Sequence, residues 1–168
     1  MIKEPEIGVK EISIEVNNKA QSVEITVTKL DSKPASVTRE ISGGTVYQYV
    51  DISQKNIVEG NLKKANIRFK VPKTWIASNN IDEDTVSLNR YVNNSWTKLP
   101  TIKISSGNVE VEYEANTPGF SVFAVTGQIG TAPTTTVPTT PTTIRTTTTI
   151  QGVTTTTLPA VSGWDNTI

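Results

Sequence analysis

The densest carboxylates in this 168-residue chain are the run Asp82-Glu83-Asp84 and the alternating set Glu110, Glu112 and Glu114. Hard oxygens at positions i and i+2, as in Asp82 and Asp84, can share a Ca²⁺ ion when backbone carbonyls complete the shell. The run lacks the glycine and the distal bidentate glutamate of an EF-hand loop, so an acidic turn ahead of a strand at Val86 is the competing reading. The three glutamates share one face of a strand. Glycosidase carboxylates flank a cleft from different elements and have their pKa values driven apart, whereas a solvated strand face requires neither.

Tyr47, Tyr49, Tyr91, Trp75 and Trp96 are candidates for an aromatic platform under a sugar ring, because aromatic faces bury area while their polar tips stay wet. Alternation sets Tyr47 and Tyr49 on one strand face, opposite Val46 and Val50; burial in the core is the other fate open to them. Asn93-Asn94-Ser95 is an N-glycosylation sequon in an expected hairpin turn between Tyr91 and Trp96, which would expose the acceptor Asn93.

The chain has no Cys and no His. The thiolate and imidazole ligands of zinc, copper, haem and iron–sulfur centres are therefore missing, and so are the Ser-His-Asp and Cys-His arrangements of nucleophilic catalysis. No catalytic residue and no cofactor are assigned, and the chain is expected not to be an enzyme. Sixteen basic residues balance sixteen acidic ones, which gives no overall field to attract nucleic acid or an anionic membrane.

The elements that carry these residues read as strands. Ile12, Ile14 and Val16 alternate with Glu11, Ser13 and Glu15, and Val23, Ile25 and Val27 alternate with Glu24, Thr26 and Thr28; Asn17-Asn18-Lys19-Ala20 between them predicts a hairpin. Ile67, Phe69 and Val71, and later Val109, Val111 and Tyr113, alternate with polar neighbours in the same way. Around Phe123 both faces are apolar, as in a central strand covered on both sides. One helix is expected, over Pro72 to Ser78, ended by Asn79-Asn80. Eight or nine short strands predict an all-β, immunoglobulin-like β-sandwich, with an open barrel as the alternative. A globular part of about 125 residues buries roughly two thirds of the surface its unfolded chain exposes, enough to fold without staples.

Composition breaks at Gly127-Gln128-Ile129-Gly130, so the reading divides the chain into a domain over 1–127 and a tail over 128–168. From Thr131 to Thr157, 16 of 27 residues are Thr and the one charge is Arg145. Such a segment offers too little apolar area to fold alone and many hydroxyls for O-linked sugars. The candidate acceptors are Thr134, Thr135, Thr136, Thr139, Thr140, Thr142, Thr143, Thr146, Thr147, Thr148 and Thr149. Extended as polyproline II, ~27 residues at ~3.1 Å each reach roughly 80 Å, a stalk able to hold a domain clear of a cell wall. A second reading starts from the Pro-free stretch Ile144 to Leu158. Its strand-forming residues, with Ile144, Ile150, Val153 and Leu158 as apolar contacts, suit a strand added to the edge of a neighbouring subunit.

Three motifs carry a resemblance to a known family. They are Ala65-Asn66-Ile67-Arg68-Phe69-Lys70-Val71-Pro72-Lys73-Thr74-Trp75-Ile76, Arg90-Tyr91 before Trp96-Thr97-Lys98-Leu99-Pro100-Thr101, and Thr117-Pro118-Gly119-Phe120-Ser121-Val122-Phe123-Ala124-Val125. In this order, with Val46-Tyr47-Gln48-Tyr49 ahead of them, they resemble the PGF-pre-PGF domain of archaeal cell-surface proteins over about residues 7 to 127. The resemblance implies an exported protein, often with a Thr-rich or Ser-rich stretch and a membrane-anchoring signal after the domain; it brings no catalytic residues. No apolar run is long enough for a signal peptide core or a membrane span, so the expected form is a mature or excerpted one. Ala160 to Ile168 has neither an apolar tail nor a basic stop, which shifts weight from anchorage toward self-assembly. The expectation is a non-enzymatic, extracellular structural protein, either a glycosylated envelope component or a filament subunit. Its partners would be itself or other envelope proteins, and the alternative is an adhesin or carbohydrate-binding module.

Overall fold

Period-two alternation of β-branched and charged residues produces strands because successive side chains leave a pleated backbone on opposite faces. The computed structural model describes residues 8–58, 60–130, 147–150 and 153–156, the last two stretches as backbone. Two units divide between Ala132 and Pro133.

In the first unit the strands are β1 (Val9–Val16), β2 (Glu24–Leu30), β3 (Thr45–Lys55), β4 (Leu62–Pro72), β5 (Ser87–Val92), β6 (Ser95–Lys98), β7 (Thr101–Ser106), β8 (Glu110–Thr117) and β9 (Val122–Gly127). They form two antiparallel sheets of order β1-β4-β8-β7 and β2-β3-β9-β5-β6. This is the two-layer β-sandwich expected from the strand count, and not the barrel. β9 is the middle strand of its sheet, in agreement with its apolar residues on both faces.

The core lies between the layers. Ile67, Phe69 and Val71 of β4 and Val111, Tyr113 and Ala115 of β8 come from one sheet; Val50, Ile52, Leu88, Phe123 and Val125 come from the other. Each large apolar side chain buried here contributes about 1.5–3 kcal/mol relative to exposure. Phe69 and Tyr113 are register partners whose rings stack with centroids 5.4 Å apart. The Tyr113 hydroxyl donates to the Glu83 carbonyl at 2.9 Å, which satisfies the polar end of an otherwise buried residue.

Helix α1 (Lys73–Ser78) follows β4 directly, and Asn80, at φ 50°, turns the chain out of it. Only the N-terminal side chain of the acidic run caps a turn: Asp82 accepts from the Asp84 amide at 2.9 Å and opens the 3₁₀ turn Glu83–Thr85.

Two expectations are corrected. The predicted β1–β2 hairpin does not form, because β1 pairs with β4 and β2 with β3, in opposite sheets. Its turn residues are held instead by the β3–β4 loop: Asn18 donates its amide to Asn61 Oδ1 at 2.7 Å, and Asn61 Nδ2 donates to the Asn18 carbonyl at 3.0 Å. A two-residue turn reverses a strand within one sheet, whereas this longer connection crosses between layers. Val109 is the second correction; it precedes β8 and is 76% exposed, although Val111 and Tyr113 are buried as expected.

Pairing continues beyond Gly127. Ile81 bridges Ile129, the Asp82 amide donates to the Gln128 carbonyl at 3.0 Å, and the Gly130 amide donates to the Asn80 carbonyl at 2.8 Å. In the second unit, β10 (Thr147–Ile150) and β11 (Val153–Thr156) pair antiparallel with each other, Ile150 opposite Val153. Both strands lie within the Pro-free stretch read from the sequence as strand-forming. Ile144 and Leu158 lie outside the described residues, as do Thr134, Thr135, Thr136, Thr139, Thr140, Thr142, Thr143 and Thr146; Thr147, Thr148 and Thr149 lie on β10.

Candidate functional site

Glu110, Glu112 and Glu114 do share one face of β8, and each meets a basic side chain of the same sheet, from adjacent β4 for Glu110 and Glu114 and from β1, one strand further on, for Glu112. Lys70 Nζ lies 3.1 Å from Glu110, Arg68 Nε donates to Glu114 at 2.8 Å, and Lys10 pairs with Glu112. The Lys10 hydrogen bond holds the Glu112 carboxyl below the usual carboxylate range. The row is a ladder of cross-strand ion pairs on a solvated face.

The acidic run is similarly occupied. Glu83 accepts Lys73 Nζ at 3.0 Å and Ser106 Oγ at 3.0 Å, and Asp84 pairs with Lys103 at 2.5 Å. The Lys73 hydrogen bond is the main reason the Glu83 carboxyl sits below its ordinary value. The Lys103 ammonium therefore occupies Asp84 and a backbone amide occupies Asp82, and among the described residues no three acidic side chains gather into a metal site.

The aromatic residues separate into two groups. Register slips between Val46 and Gln48, so Tyr47 is the extra residue of a β-bulge and has no partner on β9. The bulge breaks the alternation that would have placed Tyr47 and Tyr49 on one face. Tyr47 turns against the core and Trp75, ring centroids 5.1 Å apart, while Tyr49 stands on the outer face beside Trp96, at 6.2 Å. Tyr91 completes the outer group at 5.1 Å from Trp96. The platform consists of Tyr49, Tyr91 and Trp96, without Tyr47 and Trp75.

The β5–β6 hairpin presents Trp96. Asn93 and Asn94 both have positive φ, 50° and 57°, the backbone a two-residue type I′ turn requires, and they leave Tyr91 opposite Trp96. The sequon asparagine is exposed at this tip, as its sequence predicted.

A cavity of about 330 Å³ opens beside Trp96 over the outer face of the five-stranded sheet. Its floor is polar. Ser87 and Asn89 of β5 and Thr126 of β9 are all buried, and Asn89 Nδ2 donates to Thr126 Oγ1 at 2.9 Å. Trp96 and Lys98 of β6 form one wall, and Arg39 to Gly43 form the other. That second wall belongs to the β2–β3 connection, which several hydrogen bonds fasten over the sheet. Trp96 Nε1 donates to the Arg39 carbonyl at 3.0 Å, the Thr38 amide donates to the Tyr91 hydroxyl at 3.1 Å, and Gln128 Nε2 donates to the Gly43 carbonyl at 3.2 Å. Burial raises the Tyr49 phenol, whereas hydrogen bonding with Thr38 lowers that of Tyr91.

Sequence reasoning identified Trp96 but missed Ser87, Asn89, Thr126, Arg39 and Lys98. The signal was the small polar pair Ser87 and Asn89 at alternate positions of a strand that is otherwise apolar at Leu88. Comparison of the chain with protein families, with curated proteins and with solved structures found no match.

Proposed function

We propose that this chain is a non-enzymatic structural protein of the archaeal cell surface, in which a β-sandwich is carried on a Thr-rich, glycosylated or self-associating segment. The observation that carries the reading is the join of two unlike halves. An ion-paired sandwich ends in pairing at Gly130, and a stretch dominated by threonine follows it. The non-enzymatic part is supported by the carboxylates that could have done chemistry, each of which is held by a lysine or arginine or caps a turn. The resemblance of the sandwich motifs to PGF-pre-PGF domains supports the cell-surface setting. Among the described residues no helix is long and apolar enough to cross a membrane.

Two forms of the reading are separable. A glycosylated envelope component carries sugar on Asn93 and on the threonines of the tail, whereas a filament subunit engages a second copy by strand addition. The strands β10 and β11 support the second form, since they establish that this stretch takes up extended, hydrogen-bonded backbone. Intact-mass measurement of the chain produced in an archaeal host, with electron microscopy of the same material, tests both. Hexose-sized mass increments or regular filaments are expected; an unmodified, dispersed monomer sinks the reading.

A further inference from the structure

The cavity beside Trp96 has the chemistry of a small-ligand site, independent of what the tail does. We propose that it binds a sugar ring carrying a carboxylate, a hexuronate unit of an acidic polysaccharide. At about 330 Å³ it lies at the lower end of the roughly 300–1,000 Å³ of small-molecule sites.

The floor selects for hydroxyl groups. Asn89 is 7% exposed, its Nδ2 is used on Thr126, Ala124 and Ser87, and its Oδ1 accepts no hydrogen bond from the described residues. Ser87 Oγ and Thr126 Oγ1 stand 3.4 Å apart beside it. A sugar hydroxyl donates and accepts at once, so it can donate to the free amide oxygen while accepting from a threonine or serine hydroxyl; an apolar ligand would leave the amide oxygen unpaired.

The wall supplies an immobile aromatic face. Trp96 is held through Nε1 by the Arg39 carbonyl and flanked by Tyr49 and Tyr91, so little side-chain freedom remains to be lost when a ring settles against it.

The rim selects for an anion. Arg39 and Lys98 make no salt bridge among the described residues, whereas Glu40 beside them is paired with Lys33 at 2.6 Å. Two uncompensated cations thus border the opening, and a carboxylate gains charge-assisted hydrogen bonds there that a hydroxymethyl group does not.

The test is ligand-observed NMR and tryptophan fluorescence titration of the full chain with methyl glucuronide, methyl glucoside and acetate. Methyl glucuronide is expected to saturate with a Kd on the order of 1 mM, and methyl glucoside to bind about tenfold more weakly. The exposed double substitution R39Q/K98Q should abolish that difference, Asn89→Ala should weaken both sugars, and Trp75→Phe should change neither. Circular dichroism of R39Q/K98Q separates lost binding from lost folding. The proposal is overturned if neither sugar saturates, if glucoside binds as well as glucuronide, or if acetate alone reproduces the response.

Discussion

Gly127 and Ile81 meet with no space between them: a Cβ on Gly127 would overlap Ile81 Cγ2, with Val86 Cγ2 at 3.4 Å. Here β9 ends against the segment that leaves α1, and Ile81 goes on to bridge Ile129. The end of the sandwich from which the Thr-rich segment departs is therefore closed by side-chain packing on a glycine.

Gly127→Ala is expected to destabilise the sandwich by about 1–3 kcal/mol, the range for overpacking a filled core. Urea unfolding followed by tryptophan fluorescence measures it. Adding Ile81→Ala to Gly127→Ala should return part of the loss, since the two residues share one volume; strictly additive losses would show that the clash is relieved elsewhere.

Asn61→Ala tests the clamp that ties the β1–β2 connection to the β3–β4 loop. It strands the amide and the carbonyl of Asn18, groups that Asn61 now satisfies at 2.7 and 3.0 Å. The expected cost is about 1–3 kcal/mol, read as a lowered thermal midpoint. An unchanged midpoint would mean that water replaces the clamp without penalty.

Acid should weaken the fold through Glu83. Its carboxyl is lowered from 4.5, chiefly by the Lys73 hydrogen bond, then by Ser106 and Lys103, against the opposing effect of burial. A carboxyl whose folded pKa is depressed gives stability that is fully present above its unfolded value and is lost as pH falls through the folded one. Urea midpoints should stay level above 4.5 and decline below it. Glu83→Gln should lower the neutral plateau and make the acid decline shallower; an acid decline as steep as that of the parent chain would assign the effect to other carboxylates.

Calcium should leave the thermal midpoint where EDTA leaves it. Lys73 and Lys103 already neutralise Glu83 and Asp84, and Asp82 is engaged with the Asp84 amide. A rise in midpoint with calcium that Asp82→Asn removes would restore the metal reading of this run.

The alternation of Ile67, Phe69 and Val71 was enough to place them in the core, because a strand with one apolar face has one way to bury it. The turn at Asn93-Asn94 was legible for a similarly local reason, since asparagine tolerates the positive φ that a tight hairpin demands. The site was less legible. Arg39 and Lys98 stand about sixty positions apart in a chain rich in surface charges, and nothing local distinguishes them from solvated neighbours.

By itself the sequence determined the strands, the inward face of most of them, the short helix and the change to a threonine-rich segment, all of which follow from backbone geometry and composition over a few residues. Only the tertiary structure decided that β1 and β2 part company, that a bulge at Tyr47 divides the aromatic residues, and that the β2–β3 connection roofs a polar cavity beside Trp96. These depend on which strands pair and where register slips. Such choices are settled by contacts between residues distant in sequence, and the period of a single strand carries no record of its partner.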